Sequence, residues 1–135
     1  VKRRDDWMLQ LSQAFETAKV LPFQYGLHDC CLWAAHCVDA MCDTEFTQGI
    51  LDRFKYADEE TADAILESGG GLLALITEFL GKPERAVWAS PGDVVLARDG
   101  EQTIVGIVVG HSIIVPTKMG LMPLPYGNAI VCWRI

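Results

Sequence analysis

The stretch FQYGLHDCCLW, residues 23–33, places a thiol where a loop turns into a helix. Gly26 marks a turn, and Asp29 carries the short acceptor side chain that takes hydrogen bonds from the free N–H groups of a first helical turn. The pattern therefore predicts an N-cap at Asp29 and a helix over Cys30 to Cys42. Upstream, Trp7, Leu11, Ala14, Phe15 and Ala18 fall at helical spacing and Pro22 ends the segment, which predicts an amphipathic helix from Asp6 to Val20. Downstream, Asp43 to Ala57 is irregular, and its aromatics Phe46, Phe54 and Tyr56 are expected to fasten a loop to the core. Asp58 to Leu66 and Leu72 to Leu80 read as two more helices, separated by Gly69-Gly70-Gly71 and stopped by Gly81 and Pro83.

After Pro91 the texture changes to β-branched runs punctuated by Gly and Pro. Asp93 to Ala97, Thr103 to Val109, Ser112 to Pro116, Leu121 to Leu124 and Ala129 to Arg134 are strand candidates with hairpin-length connections. Asp93, after Pro91-Gly92, reads as a turn residue entering the first of them. Helices first and strands afterwards predict an α+β fold, with the helices packed on one face of an antiparallel sheet. The 135 residues suit one domain, helical over about 5–82 and sheet over about 91–135.

Composition narrows the function classes. Half the residues are apolar, as in a chain that packs a core, and the formal net charge is −7. With no dense basic cluster beyond Lys2-Arg3-Arg4, a surface built to neutralise phosphates is not expected, so nucleic acid is excluded as a partner. The N-terminus shows no apolar h-region, and the apolar stretch from Ile104 to Pro116 is broken by Gly106, Gly110, His111 and Ser112, so neither secretory export nor a membrane span is expected. The glycines at 69–71 follow no strand and precede no Lys-Ser/Thr, which excludes a phosphate loop. Five cysteines, four of them within residues 30–42, are read as reduced thiols of a cytoplasm rather than a disulfide framework.

A cysteine at a helix N-terminus feels the partial positive charge of unsatisfied N–H groups, which favours thiolate. Nucleophilic catalysis also needs a base within hydrogen-bond reach, usually a histidine from another element. Tyr25-Gly26 before Asp29-Cys30, then Pro91-Gly92-Asp93-Val94-Val95-Leu96 and Val105-Gly106-Ile107-Val108-Val109-Gly110, resembles the NlpC-type branch of papain-like cysteine peptidases. From the Pro22 to Ala40 block through "SGGG" and "PGDVVL" to the closing "AIVCWRI", the chain resembles more closely a small phage and prophage tail-module family related to that branch. The resemblance implies a papain-like NlpC-type fold with Cys30 at the nucleophile position. The catalytic histidine of active relatives opens a strand of pattern H-V-G-I; here that strand reads Ile104-Val105-Gly106-Ile107, so Ile104 holds the histidine position. Leu32 stands where those enzymes usually carry glycine and is expected to crowd the cleft.

His28, close before Cys30, and His111, at the Gly110 turn, are the candidate substitute bases; His36 points to another face of its helix. A metal site finds little support, because Cys30, Cys31, Cys37 and Cys42 lack the three- or four-residue spacing of helical ligand pairs and form no CxxC. No cofactor is expected. Cys37 and Cys132 read as small buried hydrophobes, and Trp7, Trp33, Trp88 and Trp133 as packing residues. Asp52, Asp58, Glu59, Glu60 and Asp63 read as a solvated acidic face.

The resemblance and the missing strand histidine together lead to the expectation of a structural, hub-associated component of a phage tail tip or baseplate. It would be a pseudoenzyme made in the host cytoplasm and carried in the virion tail, binding other tail proteins through exposed apolar patches and the 43–57 loop. The first alternative is an active cysteine hydrolase that cuts peptidoglycan peptides during genome entry. The second is a thiol-based metal or iron–sulfur site shared with a neighbouring tail protein.

Overall fold

The computed structural model describes residues 2–26, 28–54 and 58–135. Five helices come first: α1 (Trp7–Ala18), α2 (Cys30–Cys42), α3 (Phe46–Arg53), α4 (Glu59–Ser68) and α5 (Leu72–Leu80). The strands follow: β1 (Glu84–Arg85), β2 (Val94–Asp99), β3 (Gln102–Val109), β4 (Ser112–Thr117), β5 (Gly120–Pro125) and β6 (Ala129–Trp133). They form one antiparallel sheet of order β1-β6-β2-β3-β4-β5, so the last strand inserts between the first two. This is the expected α+β arrangement of N-terminal helices against a C-terminal antiparallel sheet.

Strand alternation explains how the layers join. Val94 and Leu96 of β2, Val105 and Ile107 of β3, and Trp133 of β6 turn toward the helices and share a core with Trp33, Ala34, Cys37, Val38 and Met41 of α2. The intervening residues Val95, Ala97, Val108, Ile113, Val115 and Cys132 make a second cluster on the other face, against Ala89, Ile104 and Tyr126. Gly106 belongs to that face, where the strands approach so closely that a Cβ would stand 2.5 Å from Ile113 Cγ2 and 2.8 Å from the Ile114 carbonyl. Both buried indoles satisfy their N–H groups as they pack: Trp33 Nε1 donates to the Ile114 carbonyl at 3.2 Å, and Trp133 Nε1 to that of Gly81 at 2.9 Å.

Several expectations change. The segment expected to be a loop holds the helix α3, whose Ile50 is buried with Leu32 and Ala35 among Phe46, Phe54 and Phe79. Tyr56 lies outside the described residues. Trp88 is not a packing residue: it stands 58% exposed in a short 3-10 turn, beside Val87. Asp93 is more than a turn residue, being 1% exposed and bonded to Arg3, Ser90 and Ile135. Cys37 and Cys132 are fully buried, as expected, and all five cysteines are free thiols.

Candidate functional site

Asp29 builds the junction that carries Cys30. Its backbone is extended, one carboxylate oxygen accepts the N–H of Leu32 at 3.0 Å and the other accepts that of Gly26 at 3.0 Å. One buried carboxylate thus caps α2 and holds the preceding turn, where Gly26 takes the left-handed conformation at φ 84°. A small antiparallel bridge, with Gln24 and His28 exchanging N–H to carbonyl bonds of 2.8 Å, closes the loop. Cys30 is therefore delivered as the first residue of α2, half-buried, by a loop tied at three points.

Cys30 lies in a cleft of about 430 Å³, between the start of α2, one face of α4 and the beginning of β3. Phe23, Phe54, Leu66, Leu72 and Leu75 give it an apolar lining, and Tyr25, Glu59, Asp63, Asp99 and Glu101 give it a polar, acidic one. Among the described residues no histidine, lysine or arginine lines it.

The sulfur has two partners within its own neighbourhood. Hydrogen bonding from the Cys31 thiol, and from the backbone N–H groups of Val105 and Cys31, draws the Cys30 thiol below its ordinary pKa, against burial and the nearby Asp29 charge. The same pairing, with burial, pushes Cys31 well above its ordinary value. Tyr25 is also raised, by burial first and then by the charges of Glu59 and Asp63. The Cys30 thiol, its pKa lowered, thus shares the cleft with several carboxylates.

Neither candidate base lines this cleft. His28 is buried with its ring edge-on to Trp33, the ring centres 6.4 Å apart, and its side chain is not part of the cleft wall. Burial, and then the charge of His36, lower its pKa. His111 follows the end of β3, and at about 3.4 Å per residue even Val109 is roughly 17 Å along the strand from Ile104. His36 is exposed on α2, with its Nδ1 3.5 Å from the Thr47 hydroxyl.

Ile104 does border the cleft, yet it packs against the far-face cluster, while its neighbour Val105 turns toward α2. Leu32 does not crowd the cleft; it is 1% exposed and points into the cluster around Ile50. Glu59 and Asp63 are exposed, as expected of a solvated face, and they also border the cleft, a convergence invisible without the fold. Among the described residues no group of three or more His, Cys, Asp or Glu is arranged to hold a metal ion, and no helix is long and apolar enough to cross a membrane.

No curated protein and no solved structure matches the chain. A family model does, over residues 2–135, and by that full-length match the chain belongs to the family described as Domain of unknown function (DUF6950).

Proposed function

We propose that this chain is a non-hydrolytic protein of papain-like, NlpC-type architecture that serves as a structural component of a phage tail tip or baseplate. The observation that carries the non-hydrolytic part is the Cys30 cleft, whose described lining holds no histidine. Amide hydrolysis by a thiolate needs a proton donor for the departing amine as well as a nucleophile. Of the two hydroxyls in the described lining, Thr103 is no acid and the raised pKa of Tyr25 keeps it a weak one. The tail assignment is supported by the sequence resemblance across nearly the whole chain, and by exposed apolar side chains such as Val87, Trp88 and Met119 that suit contacts with neighbouring proteins. Cryo-microscopy of the particle encoded with this chain tests it: density fitting the six-stranded sheet and its helices at the tail tip is expected. A complete particle without that density would overturn the assignment.

An active cysteine hydrolase acting on peptidoglycan peptides remains the second reading, favoured by the hydrogen bonds that stabilise a Cys30 thiolate. Its signature would be cleavage that disappears in Cys30→Ala.

A further inference from the structure

Five carboxylates border the Cys30 cleft; Asp29 is engaged in capping α2 and holding the Gly26 turn, and the other four come from α4 and the β2–β3 connection. Glu59 and Asp63 stand one helical turn apart on the same face of α4, while Asp99 ends β2 and Glu101 lies in the turn that leads to β3. None of the four belongs to an ion pair among the described residues, whereas Glu16, Glu78, Asp6 and Asp93 are all paired with Lys or Arg. Apolar side chains, including Phe23, Phe54, Leu66 and Leu72, line the same 430 Å³ space. That volume falls within the range of about 300–1,000 Å³ typical of ligand sites. Like charges gathered around accessible apolar surface repel one another, and an occupant carrying positive charge beside apolar groups relieves both costs.

We propose that this cleft receives a short segment of a partner protein in which lysine or arginine alternates with apolar side chains. Two acidic pairs on separate parts of the fold, sharing a cleft with apolar side chains, suit a segment carrying several side chains better than a single small amine, which would engage one pair at a time. The chain's own basic stretch is not the occupant: Arg3 is held by Asp93 and the carbonyls of Pro91 and Ile135, and Arg4 by Asp6 and Asp43. The inference stands on the cleft alone. Its failure would leave the non-hydrolytic reading untouched, and its success would not depend on the tail assignment.

The probe is an acetylated, amidated peptide Leu-Lys-Phe-Lys-Leu, compared with counterparts carrying Glu or Gln in place of both lysines. Affinity is read by isothermal titration calorimetry, and occupancy of the cleft by slowing of Cys30 alkylation with iodoacetamide, followed by mass spectrometry of the Cys30 fragment. A cleft variant, Glu59→Gln with Asp63→Asn, Asp99→Asn and Glu101→Gln, is set against an equally neutralised control, Asp5→Asn with Glu16→Gln, Glu67→Gln and Glu84→Gln. Thermal melting establishes that both fold. The lysine peptide is expected to slow Cys30 alkylation and to bind the cleft variant about tenfold more weakly than the control, as two lysines each facing an acidic pair allow. Equal affinity for the two variants, equal binding of the three peptides, or no binding would each overturn the proposal.

Discussion

At the scale of single residues, the site is decided by where a few protons sit. His28 is buried against Trp33, and desolvation and the neighbouring His36 hold its pKa below the ordinary 6.5, with Asp29 opposing. The unfolded chain therefore binds more protons at this position than the folded one as pH falls through 6.5, so folding stability drops toward acid. Denaturant unfolding at pH 7 and pH 5 should show a smaller loss in His28→Gln than in the parent; identical losses would remove His28 from this role. Cys30 moves the other way from its fellow thiols, since Cys31, Cys37 and Cys132 are all raised, burial being the leading cause for the latter two. The helix-start position of Cys30 was legible in sequence. Its partners were not, because the Val105 N–H reaches it from a strand begun some seventy residues later.

At the scale of elements, α2 and the strand sequence were readable because each carries its own punctuation: Asp29 at the head of the helix, and glycine or proline between apolar runs. The expected α1 overran by little, ending at Ala18 instead of Val20. What escaped was α3, and the reason is physical. Its own N-cap, Glu45, makes no side-chain cap, and the duty falls to Asp39 of α2, which accepts the N–H groups of Phe46 and Thr47 at 2.8 and 2.9 Å and the Thr44 hydroxyl at 2.6 Å. A cap supplied by a preceding helix leaves no local signal. Asp39→Ala should cost about 1–2 kcal/mol, the scale of a lost N-cap, and should raise amide hydrogen exchange in α3 selectively. Uniform exchange across all helices would show that Asp39 acts on the whole fold instead. The two-residue β1 was likewise beyond reach, since only its pairing with Cys132 and Val131 of β6 defines it.

At the scale of the whole molecule, one carboxylate fastens both ends of the chain. Asp93 accepts Arg3 at 2.8 Å and the backbone N–H of Ile135 at 2.9 Å, while Arg134 approaches within 3.4 Å. Arg3 in turn donates to the Ile135 carbonyl and lies over the Trp7 ring, 4.1 Å from its centre. Gly92, at φ 91°, lets the segment pass, because a Cβ there would meet Arg3 Nη1 at 2.9 Å. Asp93→Ala leaves a partly buried guanidinium without its charge partner, and a destabilisation of about 3 kcal/mol is expected, read as a lower denaturant midpoint. A change below about 0.5 kcal/mol, within the ordinary range for surface positions, would mean that the clasp is incidental. Sequence pattern placed Asp93 in a turn; the partner that makes it structural lies ninety residues away in Arg3. The cleft shares this character, for its walls come from α2, α4 and the β2–β3 turn and meet only after folding.

The proposal that the Cys30 cleft does not hydrolyse amides is tested most directly by turnover. Purified protein and Cys30→Ala are incubated with peptidoglycan stem-peptide fragments across pH 5 to 9, and the products are followed by mass spectrometry. No cleavage by either protein is the predicted result. Cleavage by the parent that vanishes in Cys30→Ala would contradict it and establish a hydrolase whose base lies outside the groups identified around the cleft.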